Sequence, residues 1–232
     1  AIIDNLLNWD FVAANLLGEL RLASGDDAGA EEQFRKAMEI NPGWAIPYRN
    51  LSALYLKNGK RDEALALMKQ GIEATGGSSL LVTGLAGLYE RSGDLDLAIA
   101  EYEKVLATKP DSALAANNLA MVLAEYRGDQ ESLERARELV RPLRNSSQPA
   151  FLDTVGWVEY KLGDFAEAQL FLEKAVEAAP DAGLLHYHLG MAAHAAGNEV
   201  GAREHLRRAL DLGREFKGSE EAERVLAELG EE

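Results

Sequence analysis

Cysteine is absent from the 232-residue chain. That excludes disulfides and thiolate metal sites and leaves the redox compartment undecided. Aromatic residues are scarce, at 7%, so the apolar content rests mainly on Ala and Leu, which lose little on entering a helix. There are only six prolines, and most stand between periodic segments, where a helix must stop. No apolar run approaches the roughly 18–20 residues of a membrane span, and the first residues do not read as a signal peptide. Basic residues are also few: 24 Lys and Arg face 39 Asp and Glu, for a net charge of −15. Such a chain repels phosphate backbones, which excludes general nucleic-acid binding. It favours a basic partner or one that docks through apolar contacts.

What is present is a repeat. A Gly followed five residues later by Ala occurs as Gly25 with Ala30, Gly59 with Ala64, Gly93 with Ala98, Gly163 with Ala168, and Gly197 with Ala202. Three of the intervals are 34 residues, and the step from Gly93 to Gly163 is 70, two such periods plus two residues. Other positions keep the same phase. Leu17-Gly18, Leu51-Ser52, Leu85-Ala86, Leu119-Ala120, Val155-Gly156 and Leu189-Gly190 place a small residue mid-helix, where two helices approach closely. Phe34, Met68, Tyr102, Leu172 and Leu206 fill the following helix, and Pro42, Pro110 and Pro180 close repeats.

A period of about 34 with these residues resembles the tetratricopeptide-repeat (TPR) family. The resemblance implies an all-α, right-handed superhelical solenoid of helix-turn-helix repeats with a concave groove lined by the first (A) helix of each pair. Six repeats are expected at 11–44, 45–78, 79–112, 113–148, 149–182 and 183–216. Residues 217–232 are expected to form a capping helix and acidic tail, since Ser219 caps the helix and Glu220 and Glu221 suit its positive end. Residues 1–10 read as the tail of a preceding repeat's second (B) helix, which would make the chain the C-terminal part of a longer array. The fourth repeat is irregular: Arg127–Ser132 is expected to lengthen its A–B turn by about four residues, and its B helix to end at Arg141-Pro142. A tolerated loop insertion, a change of curvature or a partner-contacting loop would each fit.

By family phase the groove residues are Arg49, Arg91, Asn117, Met121, Asp153, Trp157, Tyr160, Tyr187, Met191 and His194. Trp157, Tyr160, Tyr187 and Met191 are bulky at positions that inter-helix packing does not demand. They read either as partner anchors or as residues packing on each other and on the C-terminal cap. The carboxylate clamp of chaperone-binding TPR proteins is not present, because Glu19, Ala53 and Gly87 occupy its Asn places. His186, His188, His194 and His205 form no i, i+4 pair, and structural or surface roles are expected rather than metal ligation. No phosphate loop, Ser–His–Asp order or His-Glu-x-x-His motif appears.

The resulting expectation is a non-catalytic scaffold without cofactor or metal that binds a protein or peptide segment in the groove. Two alternatives stand beside it. One is an assembly module that self-associates through its N-terminal end. The other is an accessory region of an enzyme whose catalytic domain lies elsewhere. Phe151–Trp157 with Tyr160–Asp164, preceded by Asn117-Asn118-Leu119-Ala120, resembles the C-terminal repeats of long bacterial TPR proteins, including lipoproteins linked to exopolysaccharide export and exosortase systems. That resemblance implies a bacterial cytoplasmic or envelope setting.

Overall fold

A computed structural model describes residues 9–230. The expected helix remnant at 1–10 therefore lies almost wholly outside the described residues; Asp10 opens the first described helix. The chain divides into two compact units, 1–110 and 111–232. The first holds three helix pairs: α1 (Asp10–Ala23) with α2 (Asp27–Ile40), α3 (Ala45–Lys57) with α4 (Arg61–Ala74), and α5 (Ser79–Ser92) with α6 (Leu95–Thr108). The second holds α7 (Ala113–Val122), which runs on into a π-turn (Leu123–Arg127), then α8 (Gln130–Val140) and a 3-10 turn (Arg141–Asn145). Two further pairs follow, α9 (Pro149–Lys161) with α10 (Phe165–Ala178) and α11 (Gly183–Ala195) with α12 (Glu199–Leu212), and the last helix is α13 (Ser219–Glu228). The described residues are all-α, with no strand.

Each pair is turned by the same device. Gly25, Gly59, Gly93, Gly128, Gly163 and Gly197 all have φ between +64° and +84°, a region an L side chain adopts only under strain. The next residue opens the second helix, and four such residues cap it with a side-chain oxygen: Asp26, Asp129, Asp164 and Asn198 accept from the amides of Gly29, Ser132, Glu167 and Gly201. The first helix then meets the second at a small residue. At Gly190 a Cβ would stand 2.7 Å from the Leu206 side chain, so only hydrogen fits. Facing Ala30, Ala64, Ala98, Ala168 and Ala202 are all fully buried, and the large side chains Phe34, Tyr102, Leu172 and Leu206 close the core between them.

The irregular fourth pair corrects the sequence expectation. Its A–B connection is only Gly128 and Asp129, so the turn is not four residues longer than its counterparts. Counted by the left-handed glycines, the intervals are 34, 34, 35, 35 and 34 residues. The two extra residues are thus taken up separately. One widens the end of the first helix into the π-turn 123–127, which is how a helix absorbs a single insertion. The other falls after Gly128, where α8 gives way to the 3-10 turn at Arg141-Pro142. The Gly–Ala signature missed Gly128 because Leu133, not Ala, stands five residues on, and it is buried in Ala's place.

Candidate partner-binding site

The first helices of the first unit carry a polar row that runs from buried Asn15 to exposed Arg49 and Arg91. Asn15 Nδ2 donates to Glu19 Oε1 at 2.8 Å, and Asn50 Nδ2 donates to Asn15 Oδ1 at 3.2 Å and to Glu19 Oε1 at 2.8 Å. Arg49 is exposed and donates to Asn50 Oδ1 through Nη2 at 3.1 Å. Arg91 is exposed as well. One helical turn beyond Arg49 and Thr83 stand Ala53 and Gly87, side chains too small to cover the row. Lys57 lies at the end of α3 and is held by Asp27 Oδ1 at 2.9 Å, a hydrogen bond that pulls the Asp27 carboxyl below its ordinary range.

In the second unit the same helix positions are filled from within. Trp157 is 3% exposed, Tyr187 4% and Met191 5%. They form one apolar cluster with Ala222, Val225 and Leu226 of α13, flanked by Met121, Tyr160, Phe216 and Leu229. Trp157 lies between two rings, stacked on Tyr160 at 4.6 Å and on the His188 imidazole at 3.9 Å between centroids. Asp153 is buried too, and its Oδ1 sits 2.7 Å from His188 Nδ1. Asn117 is 9% exposed; its Nδ2 donates to Asn118 Oδ1 at 3.3 Å, and its Oδ1 has no hydrogen-bond partner. His194 is half-buried. The expected groove residues Asn117, Asp153, Trp157, Tyr187 and Met191 are therefore not open anchors. The cap helix covers the apolar ones, because their rings and the faces of Val225 and Leu226 lose more water together than apart.

One carboxylate ties this closed row together. Glu125, at the π-turn, accepts from the Trp157 indole Nε1–H, from Lys217 Nζ at 2.6 Å, and lies 3.4 Å from Lys161 Nζ. Burial alone would raise its pKa, but the Lys217 and Trp157 hydrogen bonds outweigh burial and hold it below the usual carboxylate range. Lys217 moves the other way: burial would lower its pKa, yet the bond to Glu125 raises it. Tyr187 donates to Glu221 Oε2 at 2.8 Å, and burial followed by that bond pushes its phenol far upward. Lys217 and Phe216 had no periodic signal. Their roles arise from contacts 92 and 29 residues away in the chain, which no local pattern records.

The histidines take structural places. His186 is buried, with Nε2 3.0 Å from the Pro180 carbonyl and Nδ1 3.1 Å from His205 Nδ1. Burial, then the neighbouring His186, lowers the His205 pKa. Among the described residues, the one acidic group close enough to suggest a cation, Glu159 with Asp164 and Glu167, is already met by Arg137 and Arg144. Among the described residues no helix is long and apolar enough to cross a membrane.

Two family models, each described as tetratricopeptide repeat, match the chain, one over residues 55–122 and the other over 156–218. A TPR repeat-containing protein of Pseudomonas aeruginosa is 30% identical over 178 residues, which is 74% of this chain but 29% of that protein; the chain spans under a third of that relative's length. Among solved structures, a tetratricopeptide repeat protein from Parabacteroides merdae superposes with a TM-score of 0.67 at 16% identity, covering 88% of this chain and 80% of its own. YrrB, described as a TPR protein with an unusual peptide-binding site, superposes with a TM-score of 0.57 at 22% identity, covering 82% and 97%.

Proposed function

Because the chain belongs to the tetratricopeptide-repeat family, whose members are generally non-catalytic scaffolds for protein–protein contacts, we propose that it holds a partner polypeptide against the first-helix row of residues 10–92. The observation that carries this reading is the gap left by Ala53 and Gly87 between exposed Arg49 and Arg91. Two guanidiniums flanking a shallow floor suit a segment that offers carboxylates or backbone carbonyls, since Arg presents several donors in a fixed fork. YrrB's peptide-binding site, on a similar fold, is in keeping with that use. The six helix pairs as repeats of one array, with α13 as its cap, belong to the same reading.

Photo-crosslinking tests it. A benzoylphenylalanine placed at Ala53 or Gly87 should trap a discrete polypeptide in cells that express the protein, and Arg49→Glu with Arg91→Glu should abolish the adduct. Adducts from Glu39 or Lys104 on the second helices, with none from Ala53 or Gly87, would defeat the reading.

A second reading has its own support. Leu16, Leu17 and Leu20 on α1 are 52%, 42% and 69% exposed. The residues one and two periods after Leu17 and Leu20, namely Leu51, Leu54, Leu85 and Leu88, are buried. An exposed leucine stripe of this kind suits the face of another helix, as an assembly module would require. Light scattering of the wild type beside Leu17→Glu, Leu20→Glu separates the cases: a dimer that the variant dissolves favours assembly, and a monomer in both removes it.

A further inference from the structure

The cap is joined to the array by a connection unlike the others. The earlier second-to-first helix connections at 41–44, 75–78 and 179–182 are four residues long, whereas 213–218 has six and is bounded by Gly213 and Gly218, both with positive φ. Between these glycines Arg214, Glu215 and Lys217 are exposed and Phe216 is half-buried. Only two side chains of the segment touch the first-helix row. The Phe216 ring packs on Tyr187 at 5.6 Å between centroids. Lys217 reaches Glu125 Oε2 at 2.6 Å and lies over the Tyr126 ring at 4.3 Å.

From this arrangement we propose that residues 214–217 are an internal strap lying where a partner segment docks on the second unit, and that the partner is a polypeptide presenting an aromatic residue followed by Lys or Arg, which displaces Phe216 and Lys217. The inference goes beyond the site at Ala53 and Gly87 and concerns a different set of residues. Glu125 is an acceptor with a mostly covered side chain; Lys161 stays 3.4 Å from its Oε1, and its Oε2 takes the second cation, which the strap or a partner supplies. Tyr126 adds a ring face for the same cation. The Lys217 ammonium is itself largely exposed, and ion pairs of that kind hold weakly against competition. The net charge of −15 draws basic segments toward the chain. Helix α13 keeps Ala222, Val225 and Leu226 in the cluster that Phe216 flanks, and the partner's aromatic residue would refill the place Phe216 leaves.

The test uses the full chain and a fluorescein-labelled peptide, Leu-Gly-Arg-Glu-Phe-Lys-Gly, which copies residues 212–218. Fluorescence anisotropy should show at least tenfold tighter binding to Phe216→Ala, Lys217→Ala than to the wild type. Adding Glu125→Gln to that variant should remove the gain, and a peptide with Ala in place of Phe and Lys should not bind. Equal affinity for wild type and double variant, or no binding by the double variant at millimolar peptide, overturns the proposal. If the double variant melts well below the wild type, an insertion of two glycines after Gly213 loosens the strap with both side chains kept. It should bind the peptide more tightly than the wild type, and an unchanged affinity there also overturns the proposal. Crosslinking from Ala53 and Gly87 reports separately on the first-unit site, so either reading can fail alone.

Discussion

Glu159 is a fully buried carboxylate that receives Arg137. Its Oε2 accepts from Arg137 Nε at 3.0 Å and Nη2 at 2.5 Å, and its Oε1 accepts from Arg144 Nη1 at 3.0 Å. By phase Arg137 stands where Phe34, Met68, Tyr102, Leu172 and Leu206 stand, and Glu159 where Tyr55 and Tyr89 stand. A buried carboxylate held by two guanidiniums thus stands beside the irregular pair. Glu159→Gln removes the buried counter-charge that two cations share and should lower stability by about 3 kcal/mol, read as an earlier urea midpoint. Arg137→Met with Glu159→Leu puts an apolar contact in place of the ion pair and should recover much of that loss.

Trp157 separates packing from binding in a single measurement. It is buried between Tyr160 and His188 and against the cap. Trp157→Ala should therefore cost about 3–5 kcal/mol, as large-to-small changes in a core do. A melting curve within two or three degrees of the wild type would contradict the burial.

Two glycines with positive φ should respond differently to the same change. At Gly128 an added Cβ meets nothing within 4 Å, so Gly128→Ala should cost about 1 kcal/mol, from backbone conformation alone. At Gly218 the Cβ would lie 2.3 Å from the Tyr187 ring. Gly218→Ala should cost clearly more, and it should disturb the Tyr187–Glu221 hydrogen bond, which a shift in tyrosine absorbance would report.

Acid should act on the second unit in two separate windows. The folded-state pKa of His205 lies below its ordinary 6.5, so below neutrality the unfolded chain binds the proton more readily. Stability then falls as pH drops through 6.5 toward the folded-state value, and levels off below it. His205→Gln should flatten that slope in pH-dependent melting. The Glu125 pKa is also lowered, from 4.5. Its contribution is complete above that value and is lost as pH falls through the folded-state pKa, a window that Glu125→Gln should remove.

The amino-acid sequence determined the helix pairs and their class. A turn that needs positive φ selects Gly, a close crossing selects Gly, Ser or Ala, and both recur at fixed spacing because each pair solves the same packing problem. Period alone therefore made the 34-residue unit, the small positions at Gly18 and Gly190, and the buried alanines legible. It did not reveal that Gly128 keeps the turn, since Leu133 replaces the Ala of the signature and a π-turn hides one of the extra residues inside a helix. Phase also located the first-helix row, but a phase says which way a side chain points and not what meets it. Arg49 and Arg91 are exposed, whereas Trp157, Tyr187 and Met191 on the same row are buried in a cluster with α13. Only the tertiary structure decided that difference. The covering contacts, Tyr187 to Phe216 and Glu125 to Lys217, join residues with no regular spacing, brought together by where the chain ends up after its last full pair.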